Sequence, residues 1–167
     1  MTSDQAAGRA RDRLRLHRSR VTGYWLLVTL NSSRPIPTIL ALDQGTTGST
    51  ALVVGPDGRI LGRGTREIPQ HFPAPGEVEH DPEQLLQATV AAGREALAAA
   101  GVAVDAIGIT NQRETLVVWD HASMVPIGRA IVWQDRRTAA RCAELREAGH
   151  EDDIRARTGL LLDPYFS

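Results

Sequence analysis

Leu40-Ala41-Leu42-Asp43-Gln44-Gly45-Thr46-Thr47-Gly48-Ser49 is an apolar strand that ends in an acid and passes straight into a Gly/Thr turn. The same architecture returns at Ala106-Ile107-Gly108-Ile109, where a short apolar run leads through Thr110-Asn111-Gln112 to Arg113 and Glu114. Working outward from the first stretch, Thr38 to Asp43 predicts one strand and Ser49 to Val54 a second. Pro56-Asp57-Gly58 then connects to a third strand over Arg59 to Glu67. Proline presets φ and glycine supplies a positive φ, so this tripeptide between apolar runs predicts a hairpin. Pro69, Pro73 and Pro75 mark the segment up to Glu79 as a surface loop.

A helix follows with explicit punctuation. Asp81 suits the N-cap, Pro82 the first helical position, and Gln84 completes an Asp-x-x-Gln capping box. Leu85, Leu86, Thr89, Val90 and Leu97 form its expected apolar stripe, and Gly101 its end. Val102 to Ile109 reads as a buried strand, Leu116 to Trp119 as another, and His121 to Gly128 as a turn region. Ala130 to Trp133 predicts a further strand, Arg136 to Ala148 a helix closed by Gly149, and Glu151 to Arg157 a short final helix. The element order is that of a mixed α/β domain.

The chain has 167 residues, 42% of them hydrophobic and 23% charged, which suits one soluble domain with its own core. All 19 basic residues are Arg. The absence of Lys excludes a P-loop, a Schiff-base lysine and a protein-kinase strand lysine. Any phosphate chemistry must therefore use backbone amides, hydroxyls, a metal or Arg. Residues 1–36 carry seven Arg against two Asp, and the remainder is net acidic. That body argues against nucleic acid as the main partner. The leader has a basic stretch, Arg9 to Arg20, and a ten-residue apolar run, Val21 to Leu30, too short to span a bilayer. No small-residue cleavage site of the A-x-A kind follows, so residues 1–36 are expected to be an unstructured leader and 37–167 the folded body. Cys142 stands alone, which points to a reducing compartment and a structural thiol.

Two groups of residues carry candidate chemistry. Asp43 at a strand end can hold a hydrated Mg²⁺, which keeps several waters and takes few protein ligands. Gly45 permits a tight turn of amides, and Thr46 and Thr47 add hydroxyl donors for phosphate. The same spacing fits an ordinary hairpin turn. Arg113 offers a fork of donors and Glu114 two acceptor oxygens, a matched pair for vicinal hydroxyls, each of which donates and accepts. A silent surface ion pair fits those two residues as well.

Asp43-Gln44-Gly45-Thr46-Thr47 and Asn111-Gln112-Arg113-Glu114 together resemble the N-terminal part of the FGGY carbohydrate kinases, and among them the glycerol kinases. Pro75 to Pro82, Ile131-Val132-Trp133-Gln134, Thr158-Gly159-Leu160 and Asp163-Pro164-Tyr165-Phe166 match the same pattern, so the resemblance runs over about residues 38 to 167. It implies a ribonuclease-H-like fold of the actin/sugar-kinase superfamily, a mixed sheet with flanking helices, here an incomplete N-terminal domain. It implies ATP and Mg²⁺ as cofactors and glycerol as substrate. Gly45, Thr46 and Thr47 would meet the nucleotide phosphates, with Asp43 holding metal through water. Arg113 and Glu114 would hold glycerol, Trp133 would pack against its carbon side, and Tyr165 would hydrogen-bond a hydroxyl. For the last two residues alone, core packing and a terminal turn fit equally. The pattern usually has Ser and Arg where this chain has Gly48 and Thr50, so no phosphate-binding guanidinium is carried over to Thr50. A catalytic base is expected beyond Ser167, and the chain alone is expected to be inactive. A cytoplasmic homo-oligomer is the implied setting. The alternatives are a kinase for another polyol or sugar, a pseudoenzyme that binds polyol or nucleotide without turnover, and an Arg-arm nucleic-acid binder.

Overall fold

The computed structural model describes residues 36–166, so the expectations for the leader lie outside the described residues. A four-stranded sheet forms the centre, made of β1 (Ile39–Gln44), β2 (Gly48–Val54), β3 (Ile60–Glu67) and β5 (Ala106–Asn111). Its order is β3-β2-β1-β5, with β1–β2 and β2–β3 antiparallel and β1–β5 parallel. Between β3 and β5 the chain makes the short strand β4 (Glu79–His80) and the long helix α1 (Pro82–Ala100). After β5 come β6 (Ala130–Ile131), which pairs with β4, and the helices α2 (Ala139–Glu147) and α3 (Glu151–Thr158).

The hairpin of β2 and β3 is closed at its turn, where Gly58 has φ 80° and donates its N–H to the Gly55 carbonyl. Helix α1 starts as expected: the Asp81 side chain accepts from the amides of Glu83 and Gln84, and Pro82 occupies the first turn. The reciprocal half of the capping box does not form, because Gln84 Oε1 is buried without a hydrogen-bond partner. Gly101 closes the helix in the left-handed conformation (φ 62°) and donates to the Leu97 carbonyl.

The buried face of α1 differs from the expected stripe. Leu85, Ala92, Gly93 and Ala96 are buried, whereas Leu86 and Val90 face outward. The reason lies in the sheet. A Cβ at Gly62 would stand 2.1 Å from the Ala96 carbonyl oxygen, and one at Gly64 2.1 Å from that of Ala92. Backbone meets backbone at these points, so the helix can seat only through its smallest side chains. Leu40, Ala51 and Val53 complete that core. Ser49, fully buried, reaches Thr89 at 2.8 Å, and Thr89 donates its own proton to the Leu85 carbonyl, so Ser49 is the donor.

The predicted buried strand at 102–109 is corrected in both place and burial. Strand β5 begins at Ala106, and all six of its residues are exposed. Helix α1 lies over β1, β2 and β3, leaving Ile107 and Ile109 uncovered on the same sheet face. The expected strand at 116–119 is reduced to isolated bridges, Leu116 with Ile131 and Trp119 with Pro126. The second is held by the Ile127 amide on the Val118 carbonyl and the Asp120 amide on the Val125 carbonyl. Helix α2 starts at Ala139 rather than Arg136, and ahead of it the amide of Arg136 donates to the Gly76 carbonyl and that of Arg137 to the Asp135 carboxylate.

Candidate functional site

Because β1 and β5 run parallel in register, Asp43 lies beside Thr110 and Gln44 beside Asn111. Both polar motifs therefore leave the sheet at the same rim, the carboxyl end of neighbouring parallel strands, which is where open α/β sheets bind ligands. The amide of Gln112 continues the pairing by donating to the Gln44 carbonyl at 2.7 Å.

The first motif is a tight turn. Gly45 donates its N–H to the Gly48 carbonyl at 2.9 Å, so that proton shapes the turn rather than facing a ligand. Among the described residues, the amides of Thr46 and Thr47 carry no bond to a backbone oxygen. A Cβ at Gly48 would lie 2.7 Å from the Arg66 carbonyl oxygen, so a residue with a side chain here would push β3 aside. That gives the departure at Gly48 a steric meaning. Asp43 is exposed at the strand end. Among the described residues no group of three or more His, Cys, Asp or Glu could hold a metal ion, and Asp43 offers one exposed carboxylate. Hydrated Mg²⁺ accepts such a site.

The second motif carries backbone strain. Glu114, half-buried, has φ 62°, the left-handed region that a residue with a Cβ occupies only at a cost of about 1–3 kcal/mol. Arg113 beside it is exposed. The indole Nε1–H of Trp133 donates to Thr46 Oγ1 at 2.9 Å while its amide donates to Thr115 Oγ1 at 3.4 Å, so Trp133 links the turn to the residue that follows Glu114. With its oxygen already accepting from the indole, the Thr46 hydroxyl keeps its own proton to donate. Tyr165 packs edge-on against Trp133, ring centroids 5.5 Å apart at 68°, and Phe166 packs in turn against Tyr165. Thr46, Trp133 and Tyr165 therefore form a continuous wall, bringing together residues that lie 87 positions apart at the hydrogen bond alone.

Two ionic clusters hold that wall. Asp135, only 3% exposed, accepts from the Val78 amide at 2.8 Å, from the Arg137 amide at 2.8 Å and from the Arg137 guanidinium at 2.9 Å. Burial works against its charge, but the bonds from Arg137 and Val78 outweigh burial and hold the carboxyl below its ordinary range. Arg137 also reaches Glu79 at 2.8 Å, and these partners push its own pKa upward. Asp163 accepts from the Tyr165 amide and from Arg136, both at 2.9 Å, and its pKa too is lowered, chiefly by the Tyr165 amide.

Sequence reasoning missed Gln112, His80 and Thr115. His80 is fully buried, with Nδ1 3.1 Å from Gln112 Nε2. Burial, and to a lesser degree the charge of His71, lower its pKa. The Asn-Gln-Arg-Glu segment pointed to Arg113 and Glu114, and the buried Gln between them and the strand gave no separate signal. A concavity of about 650 Å³ on the outer side of α1, lined by Arg66, Leu86, Val90 and Arg94, includes none of the motif residues.

A mixed sheet of this order, one face covered by a long helix and a polar rim at the carboxyl end of its parallel pair, defines the ribonuclease-H-like α/β class to which sugar kinases belong. The profile of the FGGY family of carbohydrate kinases, N-terminal domain, matches residues 38–167, and the chain belongs to that family. It is 58% identical over 132 residues to a glycerol kinase of Bradyrhizobium sp. (strain ORS 278), a match covering 77% of this chain and 26% of that protein. A glycerol kinase of Delftia acidovorans is 55% identical over the same length and shares. The crystal structure of Plasmodium falciparum glycerol kinase with ADP superposes with a TM-score of 0.73 at 31% identity, over 78% of this chain and 27% of that one. Xylulose kinase from Rhodospirillum rubrum gives 0.70 at 26% identity, over 75% of this chain and 26% of that one. The chain thus spans about a quarter of the length of the relatives it matches. Among the described residues, no helix is long and apolar enough to cross a membrane.

Proposed function

We infer that residues 37–167 form the polyol- and phosphate-binding part of an ATP-dependent glycerol kinase, the enzyme that makes glycerol 3-phosphate. The observation that carries this reading is the Trp133–Thr46 hydrogen bond of 2.9 Å, which seats the polyol motif against the phosphate turn. In-line phosphoryl transfer requires an acceptor hydroxyl and a γ-phosphate held side by side, and such adjacency supplies it.

Each residue then has a role set by its chemistry. Arg113 donates to the oxygens of neighbouring hydroxyls and Glu114 accepts their protons, a pairing that one residue alone cannot make. Trp133 offers an apolar face to the carbon side of glycerol, and the Tyr165 hydroxyl bonds a substrate oxygen. Gly45 shapes the turn from which the amides and hydroxyls of Thr46 and Thr47 face phosphate oxygens. Asp43 would hold a hydrated Mg²⁺, which when bound would supply charge neutralisation for the transferring phosphate. We assign no proton-accepting role to any of residues 37–167.

The lone Cys142 accords with a reducing, cytoplasmic setting, and assembly as a homo-oligomer rests on the family resemblance alone. The leader boundary near residue 36 accords with a family match that starts at residue 38. The test is a titration of the purified chain with glycerol and with pentitols, repeated for Glu114→Gln. Tighter glycerol binding that weakens at least about ten-fold in the variant, as when a charged hydrogen bond is lost, supports the reading. Preference for the longer polyols would transfer the site to a pentose or pentitol kinase.

A further inference from the structure

The strained Glu114 is enclosed by hydrogen bonds on both sides. Before the Arg113–Glu114 pair, the Gln112 amide is held by the Gln44 carbonyl at 2.7 Å. After it, Leu116 exchanges amide–carbonyl bonds of 2.9 and 3.0 Å with Ile131. Between them, the Thr115 hydroxyl donates to Gln112 Oε1 at 3.0 Å, so a side-chain bond closes around the two residues.

Neighbouring groups are compatible with this direction. The backbone N–H of Trp133 donates to Thr115 Oγ1 at 3.4 Å, which leaves the Thr115 proton available for Gln112 Oε1. Gln112 therefore presents its carbonyl to Thr115 and its NH₂ to His80 Nδ1 at 3.1 Å and to Gln44 Oε1 at 3.4 Å. Gln44 uses its own NH₂ on the Gly45 carbonyl at 2.7 Å, leaving its oxygen as the acceptor. An imidazole accepting at Nδ1 is neutral with its proton on Nε2. That Nε2 is buried without a hydrogen-bond partner, and Gln112, at 8% exposure, cannot readily trade its own partners for water.

We propose that the Gln112–Thr115 bond, oriented by His80, is a clasp that holds Glu114 in its left-handed backbone and so positions the Arg113–Glu114 pair toward a vicinal diol. The diol rests on the functional reading above, whereas the clasp itself is a property of the fold. Neither Gln112 nor Thr115 is given contact with the ligand; both are positioning residues acting through Glu114.

The test is a cycle of Thr115→Val with Glu114→Gly. Glycine enters the left-handed region without strain and needs no clasp. Thr115→Val should lower the thermal midpoint of the chain by about 3 °C, and by less than about half of that in the Glu114→Gly background. In a glycerol titration, Thr115→Val should raise the dissociation constant about five-fold, and Thr115→Ser, which keeps the hydroxyl, should return it to within about two-fold. Equal loss of midpoint in both backgrounds would overturn the clasp. Unchanged glycerol affinity in Thr115→Val, where the wild-type chain binds, would overturn the positioning role. A wild-type chain that binds no glycerol, with the background dependence intact, would support the clasp and overturn the functional reading on which the diol rests.

Discussion

Strands β1 and β5 are neighbours in register, Leu40 beside Ile107 and Leu42 beside Ile109, with the same alternation of apolar residues. Leu40 is 5% exposed and Ile109 is 74% exposed. The difference lies in what crosses above them, because α1 seats on glycines of β3 and covers one strand but not the other. Apolar alternation specifies a strand and a face, while the covering layer decides burial. At their carboxyl ends the two strands converge again in character, one turning through Thr46 and the other through a strained Glu114, bridged by Trp133 and Gln112.

The contrast between covered and uncovered halves is broken most severely at the helix seat. Gly64→Ala places a methyl against the Ala92 carbonyl and should destabilise the chain by more than about 3 kcal/mol in urea unfolding. Gly108→Ala on β5, where nothing lies within 4 Å, should change stability by no more than about 0.5 kcal/mol. Next in size is the register pair itself. Leu40→Ala should cost about 2.5 kcal/mol by opening a cavity under α1, and Ile107→Ala less than about 1 kcal/mol by the same measurement.

The joint between the strand ends should show a smaller, pH-dependent effect. His80 has a folded pKa below its ordinary value of about 6.5, so in acid the unfolded chain binds a proton that the folded chain resists. The neutral imidazole's contribution is complete above pH ~6.5 and is lost as pH falls through the folded pKa. Urea midpoints measured from pH 8 to pH 5 should fall on the acid side, and His80→Gln should flatten that part of the profile. The smallest effect is expected at the bridge: Trp133→Phe removes one hydrogen bond to Thr46 and keeps an aromatic wall, at about 1 kcal/mol. A Thr46→Val partner variant should add little to it in a double-mutant cycle.

What was legible in the sequence was local. Asp81 and Pro82 announced the start of α1, Pro56-Asp57-Gly58 the hairpin, and Asp43 to Thr47 the turn, because caps and turns are made by neighbouring residues. What was not legible depends on distant pairs. The face of α1 is chosen by Gly62 and Gly64, and by a Ser49–Thr89 bond across 40 positions. Gln112 gains meaning only from His80, 32 positions earlier. At the site, residue types pointed to Arg113, Glu114, Thr46 and Thr47, but the bond joining Trp133 to Thr46 has no pattern in the sequence to announce it. The half-formed capping box at Gln84 is instructive in the same way, since the motif was present and one of its two bonds was not.

The central claim is that the two strand ends make a single site, with phosphate at one and polyol at the other. Amide and indole shifts of the ¹⁵N-labelled chain, followed during separate additions of glycerol and Mg²⁺–ATP, test it most directly. The account predicts that glycerol moves Arg113, Glu114 and the Trp133 indole, that nucleotide moves Thr46 and Thr47, and that the Trp133 indole responds to both. Shifts confined to the outer face of α1 near Leu86 and Val90, or a Trp133 indole indifferent to both ligands, would contradict it.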